Sequence, residues 1–265
     1  MCPRIHFVRH AQGFHNISLE NWSIIDPLLT EKGKQQCVDL RDRFPHHSNV
    51  ELIVSSPLRR TIYTAWEAFQ PVFQAHRDLE IILLPDLQEL SAFPCDTGCE
   101  PGTLKGEMDG AGVPVDMGFV HDGWTEKSGR YKPTIEATER RARDTRRWLR
   151  DRPEKEIVVV THGAMLHFLT EDWEDSCAHE ATGWENTEYR SYDFQATEDA
   201  VLFETSESRL RRGKTGLRPT PEEQLKLREA SIPHWESQGY TLSGSSAISS
   251  KEARQTVQEV VWDLS

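Results

Sequence analysis

Four short apolar segments alternate with longer segments of helical spacing along the first 160 residues. The apolar segments, at 5–8, 51–54, 79–84 and 156–160, are rich in Ile, Val and Leu and are bounded by polar or turn residues. Such runs are typical of strands that are buried on both faces of a sheet. Because strands that alternate with helices join through crossover connections, the pattern predicts an α/β fold. We expect a three-layer sandwich with a mostly parallel central sheet flanked by helices.

The helical segments carry regularly spaced apolar residues and begin at capping residues. Thr30 can cap a helix that runs to about Phe44, and Thr134 can start one that runs to about residue 150. A further helix is predicted from Ser56-Pro57 to about residue 77, with a kink at Pro71. The helix at 134–150 mixes arginines with acidic residues, which favours a solvated surface.

The interval from about 87 to 133 breaks this alternation. It contains eight glycines and little periodicity, so we expect an irregular cap insertion over the functional site. Late strands are predicted at 189–195 and 200–203.

The chain divides into a main α/β domain over residues 1–206 and a C-terminal helical extension over 207–265. The extension contains capping signatures that start at Thr220 and Ser249, the second leading into an amphipathic stretch. We expect it to pack on the same domain, and its C-terminal helix is the candidate surface for homo-oligomer formation.

Composition and charge exclude several classes of partner. The net charge of −12 repels nucleic-acid phosphates and acidic membrane surfaces, so neither is an expected partner. The N-terminus lacks the apolar core of a signal peptide, and no apolar run approaches the ~20 residues that span a bilayer. Five scattered cysteines, an odd number, suit a reducing compartment. We therefore expect a cytoplasmic protein.

Two predicted strands end in histidine, at His10 and at His162. In open parallel sheets, ligands lie outside the carboxyl ends of the strands, so these imidazoles could face each other. A third strand end, at residues 54–61, brings Arg59 and Arg60 to the same rim. Arginine holds phosphate oxygens in a forked geometry, and an unprotonated imidazole nitrogen can attack phosphorus in line. The set therefore indicates phosphoryl-transfer chemistry.

At these positions the sequence resembles the histidine phosphatase superfamily, the phosphoglycerate-mutase-like enzymes, and most closely their RHAQ-type branch common in fungi. The matching motifs follow the family's order along the chain; they are Arg9-His10-Ala11-Gln12 with Asn16, residues 26–33 ending in Thr30-Glu31-Lys32-Gly33, residues 55–61, and Thr161-His162-Gly163. By this resemblance His10 is the phosphorylated nucleophile. Arg9, Arg60 and His162 form the phosphate pocket, with His162 also counted as catalytic, and Asn16 is a supporting contact.

The resemblance also implies an acid that protonates the departing oxygen. Glu89 fits by position, just after the strand that precedes the cap. The sequence then departs from the family's commoner pattern at 94–98, which leaves Asp96 as a second candidate.

The predicted function is a metal-independent phosphatase that hydrolyses the phosphomonoester of a small metabolite through phosphohistidine on His10. No cofactor is predicted. No metal site is predicted either, because His15 and His167 lie five residues after His10 and His162, which is not the spacing of a metal-binding pair on a helix. Three alternatives stay open: a phosphoglycerate mutase-type phosphotransferase, a non-catalytic protein-binding member of the fold, and an acid–base enzyme for a non-phosphorylated metabolite.

Overall fold

A computed structural model describes residues 2–177, 182–197 and 199–237. Its centre is a seven-stranded sheet in the order β4-β3-β2-β5-β1-β6-β7. The strands are β1 (Arg4–Arg9), β2 (Leu52–Ser55), β3 (Ile81–Leu83), β4 (Val115–Asp116), β5 (Glu156–Thr161), β6 (Tyr189–Phe194) and β7 (Leu202–Glu204). The first five run parallel, whereas β6 pairs antiparallel with β1 and β7 antiparallel with β6. The mostly parallel sheet is therefore confirmed.

Helices cover both faces of this sheet. They are α1 (Glu31–Arg43), α2 (Arg59–Ala68), α3 (Gln70–Ala75), α4 (Pro101–Ala111), α5 (Ile135–Arg150), α6 (Gly163–Thr170), α7 (Ser206–Arg211) and α8 (Pro221–Ser237). Two of them start at the predicted caps: the hydroxyl of Thr30 accepts from the N–H of Gly33, and that of Thr134 accepts from the N–H of Ala137.

Two separate hydrophobic cores lie on the two faces of the sheet. Alternate residues of each central strand enter opposite cores: in β5, Val158 and Val160 enter the core with α1 to α4, while Ile157 and Val159 enter the one with α5, α6 and α8. The alternation follows from the two-residue period of a strand. It accounts for the continuous apolar runs in the sequence, because both faces of each strand are covered.

The predicted kinked helix after Pro57 is two helices. α2 ends at Ala68, and Phe69 leaves helical geometry before α3 begins with Pro71 in its first turn. Proline has no N–H to donate within a helix and its ring clashes with the preceding turn. The helix therefore breaks rather than bends.

Residues 87–133 are less irregular than predicted. α4 buries Leu104 and Met108 on one side and ends at Gly112, which has a positive φ of 67°. Val115 then pairs with Ile81, so β4 extends the sheet at its edge. The glycines of α4 lie on its exposed side and hid the helical pattern of its two buried residues.

The helix α8, the last one in the described residues, packs on the second core. It buries Leu227 and Trp235, and the indole N–H of Trp235 donates to the carbonyl of Ser176 at 3.0 Å. Arg228 forms an ion pair with Glu139 of α5. The amphipathic stretch predicted after Ser249 lies outside the described residues.

No helix in the described part of the chain has the length and apolar character that a bilayer span requires.

Candidate active site

His10 and His162 lie side by side at the carboxyl edge of the sheet. They follow β1 and β5, which are adjacent and parallel, with Arg9 in register with Thr161. The N–H of His10 donates to the carbonyl of Thr161 at 2.9 Å. The two ring centroids are 5.1 Å apart, and both rings are buried. The strand pairing therefore brings together the two histidines that the sequence places far apart.

The surroundings of His10 select one nitrogen as a nucleophile. Its Nδ1 atom lies 2.8 Å from the carbonyl oxygen of Ala11, so Nδ1 carries the proton and donates it. Nε2 then holds the lone pair and accepts from Nε of Arg60 at 3.3 Å. Burial, followed by the charges of Arg60 and Arg9, lowers the pKa of His10 well below its usual value. His10 is therefore neutral and nucleophilic at Nε2.

His162 has the opposite tautomer. Its Nε2 atom lies 2.9 Å from the hydroxyl of Ser56, and its Nδ1 atom accepts from Nη2 of Arg60 at 3.0 Å. Burial and the charge of Arg60 lower its pKa well below the usual value. In this structure His162 lies beneath the guanidinium of Arg60 and holds it from one side.

Arg60 is fully buried at the start of α2 and contacts both histidines. Its Nη1 donates to the carbonyl of Cys95 at 2.5 Å, and its Nη2 donates to Oδ1 of Asp96 at 2.8 Å. A phosphoryl group that enters the site would meet this guanidinium beside the lone pair of His10. The interpretation that Arg60, rather than Arg59, is the phosphate arginine agrees with this geometry, because Arg59 pairs with Asp26 and Glu107 instead.

Arg9 and Asn16 complete the predicted phosphate contacts. Arg9 ends β1 and donates to the carbonyl of Trp184. The side-chain oxygen of Asn16 accepts from the N–H of Gly13 at 3.0 Å, which leaves the amide NH₂ as its donor group for a ligand. Both side chains line the cavity above His10.

The side chain of Glu89 accepts hydrogen bonds from the first turn of α6. Its carboxylate accepts from the N–H groups of Ala164 and Met165 at 3.3 and 3.2 Å. Burial and the nearby charge of Asp96 nevertheless raise the pKa of Glu89 to about 7. A carboxyl group that is partly protonated near neutral pH suits a general acid.

Asp96 has different partners. Besides Arg60, it accepts from the hydroxyl of Ser91 at 2.5 Å, so both of its oxygens are occupied within the protein. Of the two candidate acids, the geometry favours Glu89 as the proton donor and Asp96 as the partner that orients Arg60.

A cavity of about 410 Å³ opens above these groups. Five of the six predicted site residues line it: Arg9, His10, Asn16, Arg60 and Glu89. The sixth, His162, contacts the site through Arg60. The volume falls within the range of roughly 300–1,000 Å³ that is usual for small-molecule sites.

Sequence reasoning missed His15, which had been weighed only as a metal ligand. Its ring is buried against that of His10 with centroids 5.4 Å apart, and it lines the same cavity. Its Nδ1 atom has no hydrogen-bond partner among the described residues. No local sequence pattern indicates this contact, because it depends on the 3₁₀ turn Phe14–Asn16 that brings His15 next to His10.

The arginine-rich helix α5 is not uniformly solvated, which corrects the sequence prediction. Arg141 is buried and donates to the carbonyls of Asp86 and Gln88 at 3.0 and 2.9 Å. It thereby holds the backbone that leads into Glu89. Arg146 is also buried and donates to the carbonyl of Phe168.

Two positions near the site, Gly163 and Gly33, have no room for a side chain. A Cβ atom at Gly163 would lie 2.0 Å from Oγ1 of Thr182, and one at Gly33 would lie 2.2 Å from the carbonyl oxygen of Gln12. Gly33 thus lets α1 pack closely against the loop that follows His10. The hydroxyl of Thr30 reinforces it by donating to Oε1 of Gln12 at 2.8 Å.

Comparisons with known proteins identify relatives in sequence and in fold. A protein of Arabidopsis thaliana named "Phosphoglycerate mutase-like protein" is 28% identical over 210 residues, which cover 66% of this chain and 76% of the relative. "Phosphoglycerate mutase-like protein 1" of the same plant is 26% identical over 216 residues, covering 66% and 73%. The solved structure of Bacillus stearothermophilus YhfR covers 78% of this chain and 96% of its own with a TM-score of 0.50 and 20% identity, which shows a shared fold.

The sequence pattern of one family spans most of the chain. That family is described as "Histidine phosphatase superfamily (branch 1)", and it matches residues 5–203, from β1 into β7. Assignment to the RHAQ-type branch stays a prediction. On its sequence and its fold, the chain belongs to the histidine phosphatase superfamily.

Proposed function

We propose that the protein is a metal-independent phosphatase that hydrolyses a small phosphomonoester through phosphohistidine on His10. The observation that carries the proposal is the placement of the buried His10 ring, whose Nδ1 donates to the carbonyl of Ala11 and whose Nε2 lies 3.3 Å from Nε of Arg60. A nucleophile beside a fixed positive charge is the arrangement that phosphoryl transfer requires.

In the first step Nε2 of His10 attacks phosphorus in line, and the bond from phosphorus to the ester oxygen breaks. The protonated carboxyl group of Glu89 gives its proton to the departing alkoxide. Arg9 and Arg60 stabilise the charge that builds on the phosphoryl oxygens.

In the second step water enters the place that the alcohol has left. The carboxylate of Glu89 takes a proton from this water as it attacks phosphorus. The bond from phosphorus to Nε2 breaks, and inorganic phosphate and neutral His10 are released. Glu89 thus returns to its protonated form.

Metal independence is part of this proposal, because none of the steps above requires a metal ion. The described residues contain no group of three or more His, Cys, Asp or Glu side chains arranged to hold a metal ion. In this proposal the positive charge that faces the phosphoryl group is supplied by the guanidinium groups of Arg9 and Arg60.

We also propose a cytoplasmic location. All five cysteines are free thiols, as expected in a reducing compartment.

The test is trapping of the intermediate with a ³²P-labelled phosphomonoester and rapid denaturation. We expect an acid-labile, alkali-stable label that is lost in His10→Ala and retained in His76→Ala, a control at an exposed histidine. Label that persists in His10→Ala would contradict the proposal. Strong inhibition by vanadate would argue against acid–base chemistry on a non-phosphorylated metabolite, and absence of turnover with any phosphomonoester would favour a non-catalytic role.

A phosphoglycerate mutase-type phosphotransferase is the second candidate, favoured by the names of the two Arabidopsis relatives. The two activities differ in the acceptor of the phosphoryl group, which is water for a phosphatase and a glycerate for a mutase. Phosphate release and isomer formation from 3-phosphoglycerate, measured in one reaction, separate them.

A further inference from the structure

The mouth of the cavity is formed by apolar side chains, which we call the collar: Ile17, Leu19, Trp22 and Phe93. All four line the same cavity as His10. Ile17 and Leu19 are 57% and 67% exposed in spite of their apolar character. Large apolar side chains clustered at a concave site are characteristic of binding surfaces.

The collar is held in place by the surrounding structure. The rings of Trp22 and Phe93 pack at 5.0 Å between centroids, which joins the segment after β1 to the one after Glu89. The amide of Asn21 donates to the carbonyl of Phe14 at 2.9 Å, and the N–H of Phe14 donates to the carbonyl of Leu28 at 3.1 Å. These contacts within the protein therefore preform the collar at the mouth of the cavity.

In-line attack directs the leaving group of the ester toward this mouth. His10 is buried at the base of the cavity, and the departing oxygen must lie on the side of phosphorus opposite to Nε2. The group attached to that oxygen then extends away from His10 and meets the collar.

The charges along the cavity disfavour an acidic leaving group. Among the described residues that line it, the cations are Arg9 and Arg60, both assigned to the phosphoryl group, and the anions are Glu89 and Asp96. No further Lys or Arg of this lining set is placed to neutralise a carboxylate on the substrate. A carboxylate on the substrate would lose its hydration on entering the cavity and would gain no cation of this lining set in return.

We infer that the preferred substrate is a phosphomonoester whose alcohol carries an apolar group, either aryl or branched alkyl, seated against the collar. This inference rests on the proposed phosphatase function and names its substrate class. The collar acts on specificity, whereas Arg9, His10 and Arg60 act on the phosphoryl group that all esters share.

The experiment compares 2-phenylethyl phosphate with glycerol 3-phosphate. Both are primary alkyl esters, so their leaving alkoxides are of comparable basicity and differences report the contacts of the alcohol. We expect kcat/KM to favour 2-phenylethyl phosphate by about tenfold or more, the discrimination usual for apolar pockets. Equal values, or a preference for glycerol 3-phosphate, would overturn the inference.

Matched variants locate the effect. The double variant Ile17→Ser with Leu19→Ser should lose most of the preference while its turnover of glycerol 3-phosphate changes little. Ile25→Ser is the control, because Ile25 belongs to the same segment and is 63% exposed, yet does not line the cavity. A preference that survives the double variant, or that Ile25→Ser removes equally, contradicts a role for the collar.

Binding separates this inference from the proposed function. Calorimetric titration of His10→Ala with the two esters measures affinity without turnover, and tighter binding of 2-phenylethyl phosphate supports the collar even if the wild-type protein releases no phosphate. Absence of phosphate release from every phosphomonoester tested, together with this difference in affinity, would overturn the phosphatase proposal and leave the role of the collar in place. A wild-type dimer in sedimentation that the double variant dissociates would assign the collar to a second copy of the chain and overturn the inference.

Discussion

Oδ1 of Asp96 lies 2.8 Å from Nη2 of Arg60, and both side chains are buried at the base of the cavity. The guanidinium is therefore already paired with a carboxylate before a phosphoryl group binds. The same carboxylate is a cause of the raised pKa of Glu89. Asp96 thus connects Arg60, the proposed phosphate ligand, to Glu89, the proposed proton donor.

Asp96→Asn should shift the pH dependence of the enzyme. Glu89 must be protonated to donate, so kcat/KM of the wild-type protein should fall as the pH rises above about 7. Removal of the Asp96 charge lowers the pKa of Glu89, because the ionised form no longer faces a second anion. The alkaline limb of the profile should move to lower pH with activity retained at acidic pH. An unmoved limb, or complete loss of activity at every pH, would contradict the assigned roles.

Glu89→Gln should remove the general acid. For an alkyl ester we expect kcat/KM to fall by about 10²–10⁴-fold. For 4-nitrophenyl phosphate the loss of phosphohistidine formation should be much smaller, because 4-nitrophenolate leaves without a proton. Glu100→Gln, at an exposed position, serves as the control and should leave both rates unchanged. Equal losses for the two esters would argue against proton donation by Glu89.

Arg60→Ala should lower stability as well as activity. It leaves the buried carboxylate of Asp96 without its cation, and breaking a buried pair costs about 3–5 kcal/mol of unfolding free energy. Combined with Asp96→Asn, the loss should be smaller than the sum of the two single changes, by roughly 0.5–3 kcal/mol. Urea unfolding of the four proteins measures this coupling, and strict additivity would show that the ion pair contributes nothing.

Gly163→Ala should disturb the turn that carries His162. The new Cβ atom would lie 2.0 Å from Oγ1 of Thr182, and such overpacking costs about 1–3 kcal/mol. Thr182→Ala in the same chain should recover part of the loss. Gly106→Ala, where nothing lies within 4 Å of the new atom, should instead stabilise α4 by about 0.5–1 kcal/mol. Thermal unfolding checks all three, and a Gly163→Ala protein as stable as wild type would contradict the steric account.

The edge of the sheet that carries the two histidines could be predicted because strand ends are local features of the sequence, whereas the adjacency of β1 and β5 is seen only in the folded sheet. Continuous apolar runs identified β1 and β5, and parallel pairing brings the ends of such strands to one edge. Thr30 and Thr134 likewise marked helix starts, because a cap acts on its own first turn.

Long-range contacts lay beyond that local information. The burial of Arg141 depends on the carbonyls of Asp86 and Gln88, more than fifty residues earlier. Two further contacts join segments that are far apart in the chain, and no pattern in either segment predicts them. Asp96 pairs with Arg60, and Trp22 packs on Phe93. The helix α4 escaped detection because its exposed glycines diluted the signal of Leu104 and Met108.

The sequence alone predicted the candidate site residues and the edge of the sheet at which they gather, because strand periodicity locates the strand ends and the family resemblance gives the motif residues their expected roles. The tertiary structure decided the tautomers of His10 and His162, the raised pKa of Glu89 and the apolar mouth of the cavity. These properties depend on desolvation and on the distance between charges, and both quantities exist only once the chain is folded.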